Sequence, residues 1–254
     1  MQMNREQVLM PPHGGYRKLK SFQLAQLIYD VTVQFCNRYV GKRSRTHDQM
    51  VQAARSGVQN IAEGSVASGT SKKTELKLTN VARASLEELR LDYEDYLRHR
   101  CLEQWPPNHS RLTRFKALRC GTVDEVRSWV AAERKRAKNT RTEGTRAEGT
   151  RTDTEKHGRT PDKKRTPSAI EVSVSESQCV SVSSPSVSSP SVSSPSVSSS
   201  VPSSAQLVAN GALSLLNLCC YFLDQQLATL EKNFLEEGGF TEKLYRARIQ
   251  SRRK

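Results

Sequence analysis

Residues 211–234 read GALSLLNLCCYFLDQQLATLEKNF and carry the clearest periodicity in the chain. Apolar side chains recur there at alternating steps of three and four, which places them on one stripe of a helix. Burying the seven side chains of the stripe would contribute roughly 10–20 kcal/mol as an upper bound, so this helix must pack against other elements. The stripe consists of Leu213, Leu216, Cys220, Leu223, Leu227, Leu230 and Phe234.

Three earlier segments have the same helical spacing and offer the partners that the stripe needs. Apolar positions and end signals predict a first helix over about 16–39 and a second that ends at Gly64, with the glycine as its cap. Ser71 is a suitable N-cap for a third helix, which stops before Pro106. Residues 106–121 are expected to be irregular.

Low-complexity sequence separates the early helices from the last one. A capping box at 122–125 predicts a shorter basic helix to about Lys138. Residues 140–154 then repeat TRTEG with variations, and residues 181–200 read SVSSP three times and then SVSSS. Repeats without aromatic side chains bury too little apolar surface to offset the entropy of ordering, so residues 140–203 are predicted to be disordered.

These elements predict an all-α fold, namely an antiparallel four-helix bundle with a long disordered insertion before its last helix. Residues 1–139 would supply the first three bundle helices and the additional short basic helix. Residues 140–203 would form the linker, and residues 204–254 the fourth helix and a basic C-terminal tail. Closing a loop of about 64 residues instead of about five costs only some 2 kcal/mol more, which is less than burial of the stripe contributes.

The charge and composition of the chain indicate which kinds of partner it binds. The 254 residues carry 40 Lys and Arg against 26 Asp and Glu, a net charge of +14, and residues 1–139 hold 25 basic and 14 acidic side chains. Such an excess favours anionic partners such as nucleic acid.

The first residues lack the apolar run of a signal peptide, and the apolar run at 211–223 is too short to span a bilayer. Six scattered cysteines predict reduced thiols, no zinc site and a cytoplasmic protein without a membrane partner.

Catalytic motifs are incomplete in this sequence. Residues 64–71 approach a phosphate-binding P-loop, but Thr70 stands where the motif requires lysine and the loop joins two predicted helices. Asn60 and Glu63 lie on one helical face and could be catalytic, although a buried or interfacial hydrogen-bond network is the favoured interpretation. No set of nucleophile, base and orienting group can be assembled, so we predict a non-enzyme without cofactor or metal.

Two segments resemble a known family. Residues 52–64, QAARSGVQNIAEG, and residues 81–89, VARASLEEL, are similar to the four-helix bundle proteins encoded in 23S ribosomal RNA intervening sequences. They also resemble the accessory variability determinants of diversity-generating retroelements, and residues 16–30 look like the four helix bundle suffix domain subgroup. The positions of the family signature that we take as structural are Asn60, Glu63, Gly64, Ser85 and Glu88.

The chain departs from the family pattern at three positions. Gln52 stands in place of an arginine, which puts any anion contact of that arginine in doubt. Gly57 replaces an isoleucine and removes an apolar side chain. Ala84 replaces a glycine and suggests a slightly looser helix contact.

The resemblance implies a basic bundle that forms a homo-oligomeric ring, pentameric in the retroelement accessory proteins, which bind nucleic acid and a reverse transcriptase. We therefore expect an oligomeric adaptor that binds RNA or DNA. Its expected partners are structured RNA and, in a mobile element, a reverse transcriptase. The alternative is a protein–protein scaffold whose basic residues only aid solubility. The candidate phosphate-binding residues are Lys72, Lys73, Lys77, Arg83, Arg134, Lys135, Arg136 and Lys138.

Overall fold

The computed structural model describes residues 13–148 and 201–252, and every regular element among them is helical, so the all-α prediction is confirmed. The predicted disorder and the SVSSP repeats at 149–200 lie outside the described residues. A 3-10 helix at Tyr16–Lys18 precedes α1 (Lys20–Tyr39), α2 (Arg45–Ala67), α3 (Lys72–His99), α4 (Ser110–Leu118), α5 (Val123–Glu148), α6 (Ser204–Glu237) and α7 (Phe240–Arg252).

Four of the helix predictions are wrong in their limits. Gly64 does not cap α2, because the helix continues to Ala67. The segment taken as irregular contains α4, and α5 runs to Glu148, so residues 140–148 are helical where disorder was predicted. The basic C-terminal tail contains a further helix, α7.

The chain divides into two compact units. The first comprises Met1–Glu133 with Ser203–Lys254, and the second comprises Arg134–Pro202. Within the first unit α2 packs against α1 and α3, and α6 packs against the same two helices. Four long helices therefore form a closed circuit of contacts, and α4 packs against α6.

The first half of the apolar stripe on α6 lies in the core of the first unit. Leu216 and Leu223 are fully buried, and Leu213 and Cys220 are nearly so. From Leu227 onward the stripe is only half-buried. Helix α6 thus supplies one wall of the core and then extends beyond it. The largest fully buried side chains of the same core include Ile28, Phe35, Leu86, Leu89 and Tyr93.

Helix α6 also satisfies a length and composition test for a membrane span. The segment Ser204–Glu236 is long and apolar enough to cross a bilayer, whereas the sequence predicted that no run was long enough. Of its apolar window, 67% is buried inside the protein. A buried core helix passes the same test, so the observation is weak support for a membrane location.

Most of the cysteines are buried thiols in the core. Cys36, Cys120, Cys219 and Cys220 are free and buried, and burial raises the pKa of Cys36 to about 12. Such thiols are protonated at neutral pH and are poor nucleophiles. Cys101 is disulfide-bonded, so the prediction of reduced thiols is wrong at that position.

Gly57 lets α2 and α3 approach each other closely. A Cβ atom placed on it would lie 2.6 Å from Cδ2 and 2.8 Å from Cγ of Leu86, which is fully buried. Leu86 thus fills the space that an isoleucine at 57 would need, so the apolar side chain lost at 57 is replaced from the facing helix. Ala84 is exposed, and the looser contact predicted from it is not supported.

We predict that Gly57→Ala destabilises the protein although alanine is the better helix former. Helix propensity favours the change by about 1 kcal/mol, whereas forcing a methyl group against Leu86 costs about 1–3 kcal/mol. Urea unfolding should show a net loss of about 1 kcal/mol. In a Leu86→Ala background the same change should instead raise the free energy of unfolding. An increase in that free energy on Gly57→Ala in the otherwise unchanged chain would refute the packing role.

Candidate nucleic-acid interface

The N-terminus of α3 positions three of the predicted lysines. The hydroxyl of Ser71 accepts a hydrogen bond from the backbone N–H of Thr74 at 3.2 Å, which confirms the predicted N-cap. Lys72 Nζ lies 3.1 Å from a carboxylate oxygen of Glu75, whose side chain is only 10% exposed. Lys72 therefore compensates a buried carboxylate on its own helix.

Lys73 and Lys77 are exposed and have no acidic partner among the described residues. They are one helical turn apart, so their ammonium groups share a face of α3. The unpaired N–H groups of the first helical turn add positive potential at the same place. These two lysines are the members of the predicted set on α3 that remain available to an anion.

Arg83 joins two helices. Its guanidinium Nε donates a hydrogen bond to Asp224 on α6, and Nη2 lies 3.5 Å from the second carboxylate oxygen. This hydrogen bond is the main cause that raises the pKa of Arg83. The pair connects α3 to α6, so Arg83 stabilises the contact between these helices and is not available to bind an anion.

The structure brings two further cations to the same end of the first unit. The 3-10 helix that carries Arg17 and Lys18 packs against α1 and α2, and both side chains are exposed. The backbone N–H of Gly14 donates to the carbonyl of Ser65 at 3.1 Å, just before the turn that leads into α3. Arg17 and Lys18 are absent from the predicted set of cations because the first helix was predicted to begin at about residue 16. Together with Lys73 and Lys77 they form what we term the basic end.

The other predicted cations lie on the distal part of α5. Arg134, Lys135, Arg136 and Lys138 belong to the second unit and are exposed, whereas the α3 lysines belong to the first. At 100° per residue, Arg134 and Lys138 share a face of the helix, whereas Lys135 and Arg136 point elsewhere. The set therefore surrounds the helix and does not form one patch.

The family-signature residues fall into two groups, one in a contact between α2 and α3 and the other exposed to solvent. Asn60 Nδ2 donates to the Ser56 carbonyl at 2.9 Å and to its hydroxyl at 3.1 Å, and that hydroxyl lies 2.9 Å from the Ser85 hydroxyl. This network crosses from α2 to α3 and includes Asn60 as predicted, but not Glu63, which was predicted to share it. Glu63 and Glu88 are exposed instead.

Gly64 serves helix packing in the same contact. A Cβ atom at this position would lie 3.3 Å from the Glu75 carbonyl and 3.4 Å from Leu78 Cβ. Its small size therefore permits the close approach of α2 to α3, which explains a glycine inside a helix.

Asp92 has a strongly perturbed carboxyl group. Burial, followed by repulsion from Glu88 and Asp95, raises the pKa of Asp92 to about 6. Its Oδ2 atom is buried without a hydrogen-bond partner. No cation pairs with this carboxyl among the described residues, so we treat it as a determinant of stability.

Asp92 should make stability depend on pH. Because its pKa is higher in the folded than in the unfolded chain, its favourable contribution is full below about pH 4 and is lost as the pH rises through about 6. Asp92→Asn should therefore raise the free energy of unfolding by about 1–2 kcal/mol near pH 7.5, after allowance for solvent screening, and leave it nearly unchanged near pH 4.

Urea unfolding at both pH values would test this, with Glu231→Gln as the control because Glu231 is exposed on α6 and does not contribute to the raised pKa of Asp92. That control should change stability by less than about 0.5 kcal/mol. A variant at 92 that is less stable than the original chain near pH 7.5 would contradict the assignment.

Comparison with known proteins returned no matching family, curated protein or solved structure. The resemblance to the intervening-sequence bundle proteins therefore stays a prediction. Within residues 13–148 and 201–252, no three His, Cys, Asp or Glu side chains are grouped so that they could hold a metal ion.

Proposed function

We propose that this protein is a non-enzymatic nucleic-acid-binding adaptor that contacts the phosphate backbone of RNA through its basic end. The supporting observation is the position of Arg17, Lys18, Lys73 and Lys77, which are exposed at one end of the first unit and have no acidic partner among the described residues. Cations fixed on helices neutralise phosphates and release counterions without contacting bases.

We further propose that α1, α2, α3 and α6 constitute an antiparallel four-helix bundle of the intervening-sequence type. The closed circuit of contacts among these helices supports this arrangement. The connections from Tyr39 to Arg45 and from Ala67 to Lys72 are short, and short connections favour antiparallel neighbours. The long segment between α5 and α6 is then an insertion in the bundle. A ring of several copies and an association with a reverse transcriptase remain part of the same proposal.

A protein scaffold is the second candidate, and the far end of α6 favours it. Beyond the core the apolar stripe continues through Leu227, Leu230 and Phe234, which are half-buried, while Leu235 is 83% exposed. Apolar surface of this kind is typical of contacts between proteins. Protein binding without any retention of RNA at low salt would favour this candidate over the adaptor.

The adaptor proposal predicts that Lys73→Gln with Lys77→Gln weakens binding to a duplex-containing RNA by about tenfold per lost contact near 100 mM salt. The slope of log K against log salt should become shallower by about 0.9 for each lysine that contacts a phosphate. The loss should be similar for RNAs of different sequence, since phosphates carry no sequence information. Filter binding over a salt series measures both quantities.

The matched control removes the same charge elsewhere. Arg98 and Arg127 are exposed and ion-paired within their own helices, so Arg98→Gln with Arg127→Gln lowers the net charge equally and spares the basic end. The control should keep most of the affinity and the slope. Equal losses in both double variants, or binding that salt leaves unchanged, would contradict the proposal.

A further inference from the structure

A cleft of about 1070 Å³ lies in the first unit, and none of the lysines of α3 lines it. Its walls come from the start of α1, the middle of α6, and α4 with the segment before it. The side chain of Asn210 fixes that segment: its Oδ1 accepts a hydrogen bond from the backbone N–H of Trp105 at 2.7 Å, and its Nδ2 donates to the Glu103 carbonyl at 3.1 Å. The wall is therefore held in place by a buried polar side chain of α6.

The walls of the cleft are predominantly apolar. Leu218 and Tyr221 on α6 are 45% and 57% exposed, so apolar surface faces solvent there. Trp105 stacks on His109 with ring centroids 4.7 Å apart, which stiffens the wall. Apolar and aromatic walls with a few polar groups are typical of small-molecule sites. Further apolar residues along the walls are Leu24, Leu27, Leu112, Phe115, Leu213 and Phe222.

The charged residues of the cleft have a single sign. Lys20, Lys116 and Arg119 line it, and among the described residues no aspartate or glutamate does. Lys116 Nζ donates to the Pro107 carbonyl at 2.8 Å, and Lys20 Nζ donates to Gln23 Oε1 at 3.2 Å. Arg119 has no such acceptor among the described residues. Its planar guanidinium matches a carboxylate with two parallel hydrogen bonds.

The backbone of Arg119 gives an independent indication. The residue ends α4 with φ 47° and ψ 46°, the left-handed conformation that glycine adopts at lower cost. Backbone packing therefore does not require arginine here, and glycine would fit better. Residues held in strained backbone conformations concentrate at ligand sites.

We propose that this cleft binds a long-chain fatty acid, with the alkyl chain along the apolar walls and the carboxylate on Arg119, assisted by Lys20 and Lys116. The single available guanidinium fits a monoanionic head group, and the apolar walls fit a hydrocarbon chain. No residue of the basic end lines this cleft, and binding here does not depend on nucleic-acid binding.

Calorimetric titration of the full chain with decanoate, dodecanoate and tetradecanoate, each below its micelle-forming concentration, tests the proposal. Binding should be one to one, and the dissociation constant should tighten about fourfold for each added methylene, equivalent to about 0.8 kcal/mol. Dodecanol should bind more weakly than dodecanoate, because it lacks the charge that Arg119 pairs with.

Two variants separate charge from backbone conformation. Arg119→Gly and Arg119→Gln should both abolish the preference for dodecanoate over dodecanol, while Arg119→Gly should melt at the same or a higher temperature than the original chain. Arg127→Gln, which removes an exposed arginine outside the cleft, should leave the preference unchanged.

Other occupants would give different results, each of which would overturn the proposal. Tighter binding of dodecyl phosphate than of dodecanoate would assign the head group to phosphate. Affinity independent of chain length would mean that only ionic contacts form. A chain that binds none of these compounds, and whose dimers dissociate on Leu218→Glu in sedimentation, would make the cleft a contact between copies.

Discussion

The apolar stripe of α6 is the constraint on which the rest of the first unit depends. Leu216 and Leu223 are fully buried, and α6 packs against both α1 and α3. Polar contacts fix the register: the Ser21 hydroxyl lies 3.0 Å from Gln226 Oε1, across 205 residues of sequence. Because closure entropy grows only slowly with loop length, a long intervening segment does not prevent this packing.

Both candidate sites follow from that packing. The cleft exists because Asn210 of α6 holds the segment that leads into α4. The basic end exists because α2 returns the chain to the start of α1, where the 3-10 helix packs. The two sites share no residue, and they attract anions of different shape, one a polymer of phosphates and the other a single head group with a hydrocarbon chain.

The net charge overestimates the number of cationic side chains that a ligand can reach. Of the four predicted binding residues on α3, Lys72 pairs with Glu75 and Arg83 with Asp224. Ion pairs of this kind stabilise contacts within the protein and leave fewer positive groups for phosphates. The reduction depends on partners such as Asp224, 141 residues away along the chain, which sequence spacing does not reveal.

Periodicity predicted the long helices well, because each buries one continuous stripe. It missed α4, where a short helix has only two buried residues, Leu112 and Phe115, between polar and basic ones. The sequence also suggested a cap at Gly64, since a glycine serves equally as a helix end or as a point of close helix approach, and only the position of α3 decides between them. The arginine in the left-handed conformation at the cleft carries no sequence signal, because glycine is the residue expected there.

Amide hydrogen exchange on a Leu223→Ala variant tests most directly whether α6 completes the core formed with α1 and α3. Removing this fully buried side chain should lower stability by about 2–5 kcal/mol. If α6 belongs to one cooperative core, the slowest amides of α1, α3 and α6 should all lose protection by the same free energy. Leu235→Ala, on the same helix but 83% exposed, should change none of them. Loss of protection confined to α6, with α1 and α3 unchanged, would contradict this account.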